Sequence, residues 1–219
     1  MKLSVVIPFY NEENMIQKMY DELVKEINQI TKAEFEIIFI NDGSKDRTFE
    51  RMLAIAAGDS RVKYISFSRN FGKEAGTIAG LEYATGEAVI LMDGDLQHPP
   101  AMLPKMIEAY EQGYDVVSAR RTRTGEKRHR TFLAKHFYKL ANKMMDIELM
   151  DGVSEFRLFS RKVVNAIISM QEYNRFSKGI FAWIGFNEKV IEYENQVRTV
   201  GETKYSLKFS LNYAIQGIL

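Results

Sequence analysis

Ala88-Val89-Ile90-Leu91-Met92-Asp93-Gly94-Asp95-Leu96-Gln97-His98-Pro99-Pro100 is an apolar run, an acidic turn and a proline pair in immediate succession. A short apolar run without alternation reads as a strand buried on both faces. A proline at the first helical position is pre-set for helix. The same unit recurs in both directions from here. Apolar runs lie at Leu3 to Phe9, Phe35 to Ile40, Val62 to Phe67 and Asp115 to Ala119. Helical patterns separate them over Glu12 to Ile30, Asp46 to Ala57, Lys73 to Ala84 and Pro100 to Gln112. Buried strands alternating with helices specify an α/β fold: a mostly parallel, twisted sheet covered by helices on both faces. Ser44 is expected to cap the second helix, with Asp46 in its first turn.

The texture changes after Ala119. Arg120 to Lys143 holds nine Lys or Arg residues and one acid, Glu126, together with His129 and His136. A strand is expected at Glu155 to Phe159, a helix near Arg161 to Met170 and a strand at Lys189 to Tyr193. The aromatics Phe176, Phe181, Trp183 and Phe186 between them read most simply as core. No linker separates the halves, so the second is expected to pack on the same sheet.

The 219 residues are 46% hydrophobic and 27% charged, with a net charge of +1 and no cysteine. Those values exclude wholesale disorder, disulfides, Cys-zinc sites and thiol catalysis. No run of 18 apolar residues marks a spanning helix. Tyr205 to Leu219, YSLKFSLNYAIQGIL, is a mostly apolar segment with no helix-ending signal, and reads either as a terminal amphipathic helix or as the cut edge of a longer protein.

Open parallel sheets bind ligands beyond the carboxyl ends of their strands. The residues there are Pro8-Phe9-Tyr10-Asn11-Glu12, Asn41-Asp42-Gly43-Ser44-Lys45-Asp46, Ser68-Arg69-Asn70-Phe71-Gly72-Lys73, Asp93-Gly94-Asp95-Leu96-Gln97-His98 and Arg120-Arg121. Asp93 and Asp95 stand one residue apart directly after a buried strand. They present hard oxygen donors suited to Mg²⁺ or Mn²⁺, and Gln97 adds a third oxygen. Seen alone, Asp-Gly is also an ordinary turn, and His98 beside prolines is more often structural. Asp42, with Ser44 assigned to the cap, is a spare carboxylate for a base N–H or ribose hydroxyl. Neither the dinucleotide glycine fingerprint nor a P-loop occurs. Gly72, Gly76 and Gly80 recur every four residues and read as close helix-to-sheet packing.

Taken in order, Val6-Ile7-Pro8-Phe9-Tyr10-Asn11-Glu12, Asn41-Asp42-Gly43-Ser44-Lys45-Asp46 and Asp93-Gly94-Asp95-Leu96-Gln97-His98-Pro99 resemble the motifs of glycosyltransferase family 2. Arg69-Asn70-Phe71-Gly72-Lys73, Phe156-Arg157-Leu158-Phe159-Ser160-Arg161 and Gly201-Glu202-Thr203-Lys204-Tyr205 resemble further blocks of its polyprenyl-phosphate branch. The resemblance spans nearly the whole chain. It implies a GT-A fold over 1–204, with a nucleotide-sugar half (1–119) and an acceptor half (120–204), and 205–219 as an amphipathic juxtamembrane segment expected to lead into transmembrane helices of a longer protein. It implies inverting transfer of a hexose from a nucleotide sugar, UDP-linked, to a polyprenyl phosphate at the cytoplasmic face of a membrane.

The same resemblance assigns Pro8, Tyr10, Glu12 and Asp42 to the nucleoside. Asp93, Asp95 and Gln97 go to the metal and donor diphosphate, and Arg120, Arg128 or Arg130, and Lys204 to phosphates. Two positions depart from the family pattern: Glu155 stands where Asp is expected, and Ser206 where Pro commonly follows Lys-Tyr.

A phosphate monoester acceptor is largely a dianion at pH 7 and needs no general base. A hydroxyl acceptor on a glycan or protein would need one, and Asp151 and Glu155 are the candidates. The basic segment suits an anionic lipid surface, or simply a solvated helix face. No recognition motif accompanies it, so nucleic acid is not an expected partner. A non-catalytic nucleotide-binding module and a homo-oligomer both stay open at this level.

Overall fold

The computed structural model describes residues 1–122, 153–170 and 177–194. Along the chain these form β1 (Lys2–Phe9), α1 (Ile16–Ile27), β2 (Glu34–Asn41), α2 (Thr48–Gly58), β3 (Val62–Ser66), α3 (Lys73–Tyr83) and β4 (Ala88–Leu91). A 3₁₀ turn (Pro100–Met102) then leads into α4 (Leu103–Glu111) and β5 (Val116–Arg121). The second half supplies β6 (Val153–Ser160), α5 (Arg161–Ser169), α6 (Ser177–Trp183) and β7 (Glu188–Tyr193). Seven strands make one sheet in the order β3-β2-β1-β4-β6-β5-β7. Every pairing is parallel except those of β6, which runs against both β4 and β5.

Strand alternation divides the core into two layers. Leu3, Val5, Ile7 and Phe9 of β1 and Ile90 of β4 face a layer with Ile16, Met19 and Leu23 of α1, Met52 of α2 and Met106 and Ile107 of α4. Val6, Ile38, Ile40, Val89 and Leu91 face the other, with Leu81 of α3, Val163, Val164 and Ile167 of α5, and Phe181 of α6. Both faces of the sheet are therefore dry along β1, β2 and β4, which carry the longest apolar runs, whereas the edge strand β3 is largely exposed.

The glycines of α3 let that helix lie low on the sheet. A Cβ on Gly80 would come 2.2 Å from Val6 Cγ1, and one on Gly76 would touch Ile40 and Pro8 at 3.5 and 3.6 Å. The close-packing reading of that repeat holds for these two. Gly72 instead precedes the helix at φ +95°.

Three local expectations need correction. Helix α1 begins at Ile16 rather than Glu12, because Asn11 turns the chain at φ 52°. The N–H groups of Asn11, Glu12 and Glu13 then bond across to Ser44 Oγ, Thr48 Oγ1 and Asp46 Oδ2 at 3.0, 2.8 and 3.1 Å. Ser44 thus fastens the β1 loop and does not cap α2. Asp46 Oδ1 serves that helix start instead, accepting the Thr48 N–H at 3.0 Å. Among the aromatics, Phe181 is buried against Phe159, but Trp183 is 65% exposed and is not core; Phe176 lies outside the described residues. Among the described residues, no helix is long and apolar enough to cross a membrane.

Candidate active site

The reversed direction of β6 shapes the functional rim. Its first residues, not its last, lie beside the carboxyl ends of β4 and β5. Leu91 pairs with Arg157, so two residues further along the ladder Asp93 reaches Glu155. α3 starts at the same rim with Lys73. Its ammonium sits 2.5 Å from Asp93 Oδ1 and 2.6 Å from Glu155 Oε2. Loss of solvent alone would lower the Lys73 pKa, but the two carboxylates outweigh it and hold the group well above its ordinary value. Lys73 is therefore a fixed positive charge at neutral pH, lodged against one of the two aspartates expected to hold a metal.

Lys73 owes its place to Asp42. The Asp42 carboxylate accepts the Phe71 N–H at 2.7 Å, the Gly72 N–H at 3.0 Å and the Asn70 side-chain amide at 2.8 Å. It is 3% exposed, and burial raises its pKa against the pull of the Phe71 and Gly72 N–H groups. Asp42 is thus not a spare carboxylate; it binds the 69–72 loop into shape. Gly43 lets that loop close, since a Cβ there would sit 2.2 Å from the Arg69 carbonyl carbon.

The acidic turn is braced from below. His98 is 4% exposed and stacks on Phe156, with ring centroids 5.3 Å apart. Its Nδ1 accepts the Asp93 N–H at 2.9 Å, and burial lowers its pKa. His98 is thus a neutral support and not a ligand. Leu96 takes φ 60°, a left-handed conformation rare for a branched side chain, and tucks against the core. Gly94 lies against Phe9: a Cβ there would come 2.3 Å from Phe9 Cε1, and Phe9 is held edge-on to Phe39 at 5.3 Å. Gly94→Ala is expected to push the turn out of register. The expected loss is about 1–3 kcal/mol of stability and up to ~100-fold in activity, read by thermal melts beside turnover.

Asp95 accepts the Gln97 N–H at 3.1 Å through Oδ1 and the Gln97 side-chain amide at 2.7 Å through Oδ2. Gln97 is therefore not turned as a third ligand. Its oxygen accepts from Arg121 Nη1 at 3.4 Å, so it bridges the acidic turn to β5. Arg120 points to the other face, where it pairs with Glu192. Strand parity makes Arg121, rather than the expected Arg120, the arginine of the acidic turn. Glu155 is present at the rim as an ion-pair partner of Lys73.

Pro8, Tyr10 and Glu12 lie at the neighbouring end of β1. Asp151, Arg128, Arg130, Lys204 and the 205–219 segment lie outside the described residues. Among the described residues no three His, Asp or Glu side chains form a metal cage. The chemistry nonetheless fits Mg²⁺ or Mn²⁺. Two carboxylates on one turn leave other coordination positions to water and phosphate, and the position already attracts a cation, the Lys73 ammonium.

The sequence profile described as Glycosyl transferase family 2 matches residues 4–168. The chain belongs to this family. It is accordingly a glycosyltransferase. It is 49% identical over 217 residues to CsbB of Bacillus subtilis, a protein assigned as a glycosyltransferase, covering 99% of this chain and 66% of that one. Similarity extends to a prophage bactoprenol glucosyl transferase homolog of Escherichia coli, at 43% identity over 100% of this chain and 71% of that one. The bactoprenol glucosyl transferase of Shigella phage SfX is 42% identical, with 100% and 72% covered. The chain thus spans about two thirds of the length of these relatives.

Among solved structures, glucosyl-3-phosphoglycerate synthase of Mycobacterium tuberculosis, in complex with Mn²⁺, UDP-glucose and phosphoglyceric acid, aligns with TM-score 0.62 at 20% identity, over 99% of this chain and 77% of that one. The mannosyltransferase PcManGT of Pyrobaculum calidifontis, with GDP-mannose and Mn²⁺, aligns with TM-score 0.60 at 19% identity, over 87% and 54%. This family 2 transferase therefore has the GT-A fold, as expected.

Proposed function

We infer that the chain transfers a hexose from a nucleotide sugar, UDP-linked, to a polyprenyl phosphate, with inversion at the sugar carbon. The setting is the cytoplasmic face of a membrane, and the product serves cell-envelope glycosylation. One observation carries this reading: a transferase rim built around Asp93 and Asp95 occurs in a chain similar over its whole length to bactoprenol glucosyl transferases. In this reading Pro8, Tyr10 and Glu12 face the nucleoside, while Asp42 acts through the 69–72 loop. Asp93 and Asp95 hold Mg²⁺ or Mn²⁺, with Gln97 fixing the turn.

When bound, the ion neutralises charge that develops on the departing diphosphate, an effect worth several kcal/mol. Arg121 acts in the same sense from β5, and Lys204, Arg128 and Arg130 are assigned to phosphates. The acceptor phosphate attacks the anomeric carbon on the face opposite the diphosphate. One C–O bond forms as the other breaks. A phosphate dianion carries no proton to remove, so the step needs no general base.

The test is to supply polyprenyl phosphate in detergent with UDP-glucose, UDP-GlcNAc, UDP-galactose or GDP-mannose. Lipid extracts are then followed by mass spectrometry, with and without EDTA. One donor is expected to yield a lipid-phosphate hexose that disappears with chelation. Transfer to a glycan or protein hydroxyl alone would contradict the reading.

A further inference from the structure

The Lys73 ammonium and a metal ion compete for one place. Lys73 Nζ lies 2.5 Å from Asp93 Oδ1, in ion-pair contact with a carboxylate oxygen that a bound Mg²⁺ or Mn²⁺ would need at a still shorter distance of about 2.0–2.2 Å. Two cations cannot share that position without strong repulsion. Lys73 also has a second partner. Glu155 Oε2 is 2.6 Å away, and the Glu155 side chain is only 11% exposed against 30% for Asp93. The ammonium can release Asp93 and stay paired with Glu155, so moving it aside does not strand a buried charge.

The backbone of Lys73 is held at the rim. It is the first residue of α3, and Asp42 fixes the three residues before it through bonds to Phe71, Gly72 and Asn70.

We propose that Lys73 is a positioning residue that holds Asp93 in the empty enzyme. It keeps bare metal weakly bound and yields to the metal only when a nucleoside diphosphate arrives with it, Glu155 then retaining the ammonium at the rim. The diphosphate supplies the negative charge that offsets crowding of two cations beside one turn, so metal and nucleotide bind cooperatively. The extra methylene of glutamate at position 155 gives this partner reach across the rim to α3. The proposal rests on the reading of Asp93 and Asp95 as metal ligands.

Mn²⁺ binding read by electron paramagnetic resonance tests it without turnover. In the unsubstituted chain, UDP is expected to tighten Mn²⁺ strongly. In Lys73→Gln, Mn²⁺ alone is expected to bind about tenfold tighter or more, with a smaller gain from UDP. Lys73→Arg, which keeps the cation, is expected to bind bare Mn²⁺ as weakly as the unsubstituted chain. Glu155→Gln leaves the ammonium wholly on Asp93 and is expected to weaken Mn²⁺ binding several-fold.

Equal affinity for bare Mn²⁺ in the unsubstituted chain and Lys73→Gln, with binding still lost in Asp95→Asn, would overturn the role of Lys73 alone. Absence of Mn²⁺ binding in every form, with and without UDP, would overturn the metal assignment and the proposal with it.

Discussion

Asp95→Asn is expected to lower turnover by about a thousandfold or more while leaving the fold intact. Asparagine is nearly the same size, and its oxygen can still accept the Gln97 N–H that Asp95 Oδ1 takes at 3.1 Å. The turn therefore keeps its backbone bond. What it loses is one of the two negative charges meant for the ion, together with the bond that Asp95 Oδ2 accepts from the Gln97 side-chain amide at 2.7 Å. In phosphoryl and glycosyl-diphosphate chemistry a metal ion supplies several kcal/mol of stabilisation to the departing oxygen. Each 1.36 kcal/mol is a factor of ten in rate, so a thousandfold is about 4 kcal/mol. Steady-state turnover with the preferred donor, beside a thermal melt, checks both halves. A variant with near-normal rate would mean that Asp95 does not hold the ion.

The second large effect lies towards the amino ends of the strands, away from the rim, and concerns stability. Glu36 of β2 is a carboxylate with 3% exposure inside the fold. It accepts the Ser4 hydroxyl at 2.6 Å, the Thr85 N–H at 2.6 Å and the Thr85 hydroxyl at 2.8 Å, and pairs with Lys63 Nζ at 2.7 Å. Burial alone would raise its pKa; Lys63, Ser4 and Thr85 together outweigh burial and hold it far below the usual glutamate value.

Glu36→Gln keeps the shape but removes the charge and turns an acceptor into a donor facing other donors. The expected cost at pH 7 is about 2–3 kcal/mol, or roughly 5–10 °C in melting temperature. Because the folded-state pKa is depressed, the ionised group's contribution is fully present above about pH 5. It fades as pH falls below about 4, towards the folded-state value. The gap between native and Glu36→Gln should therefore narrow at pH 3. Asp59, held by Arg61 and lowered to about 2, contributes in the same direction and is unchanged by the substitution. Urea midpoints at pH 7 and pH 3 read the difference. A constant gap would show that the charge of Glu36 is not what stabilises the start of β2.

Apolar runs bounded by polar loops placed most of the sheet correctly, because a strand dry on both faces has no other composition available to it. Strand direction was not legible. Phe156-Arg157-Leu158-Phe159 reads the same whichever way it runs, and only the pairing of Leu91 with Arg157 reveals that β6 is reversed. That reversal brings Glu155 to the rim from 62 residues beyond Asp93.

Asp93 and Asp95 stood out because two carboxylates after a buried strand need a reason. Lys73 did not, because a lysine opening a helix after glycine has an ordinary solvent explanation. Arg120 and Arg121 look equivalent in sequence. The alternation of β5 separates them, with a register shift between Ser118 and Arg120 making parity harder to count. Gln97 was legible as polar and near the turn, but its bond to Arg121 depends on β5, 24 residues away.

The central claim is that Asp93 and Asp95 together grip the cation that supports the departing diphosphate. Crystals grown with Mn²⁺ and UDP, measured at the manganese absorption edge, test it directly. An anomalous peak about 2.2 Å from carboxylate oxygens of both aspartates, with diphosphate oxygens on its far side, is the expected result. A peak elsewhere, or an ordered UDP bound with no metal between it and this turn, would contradict the account.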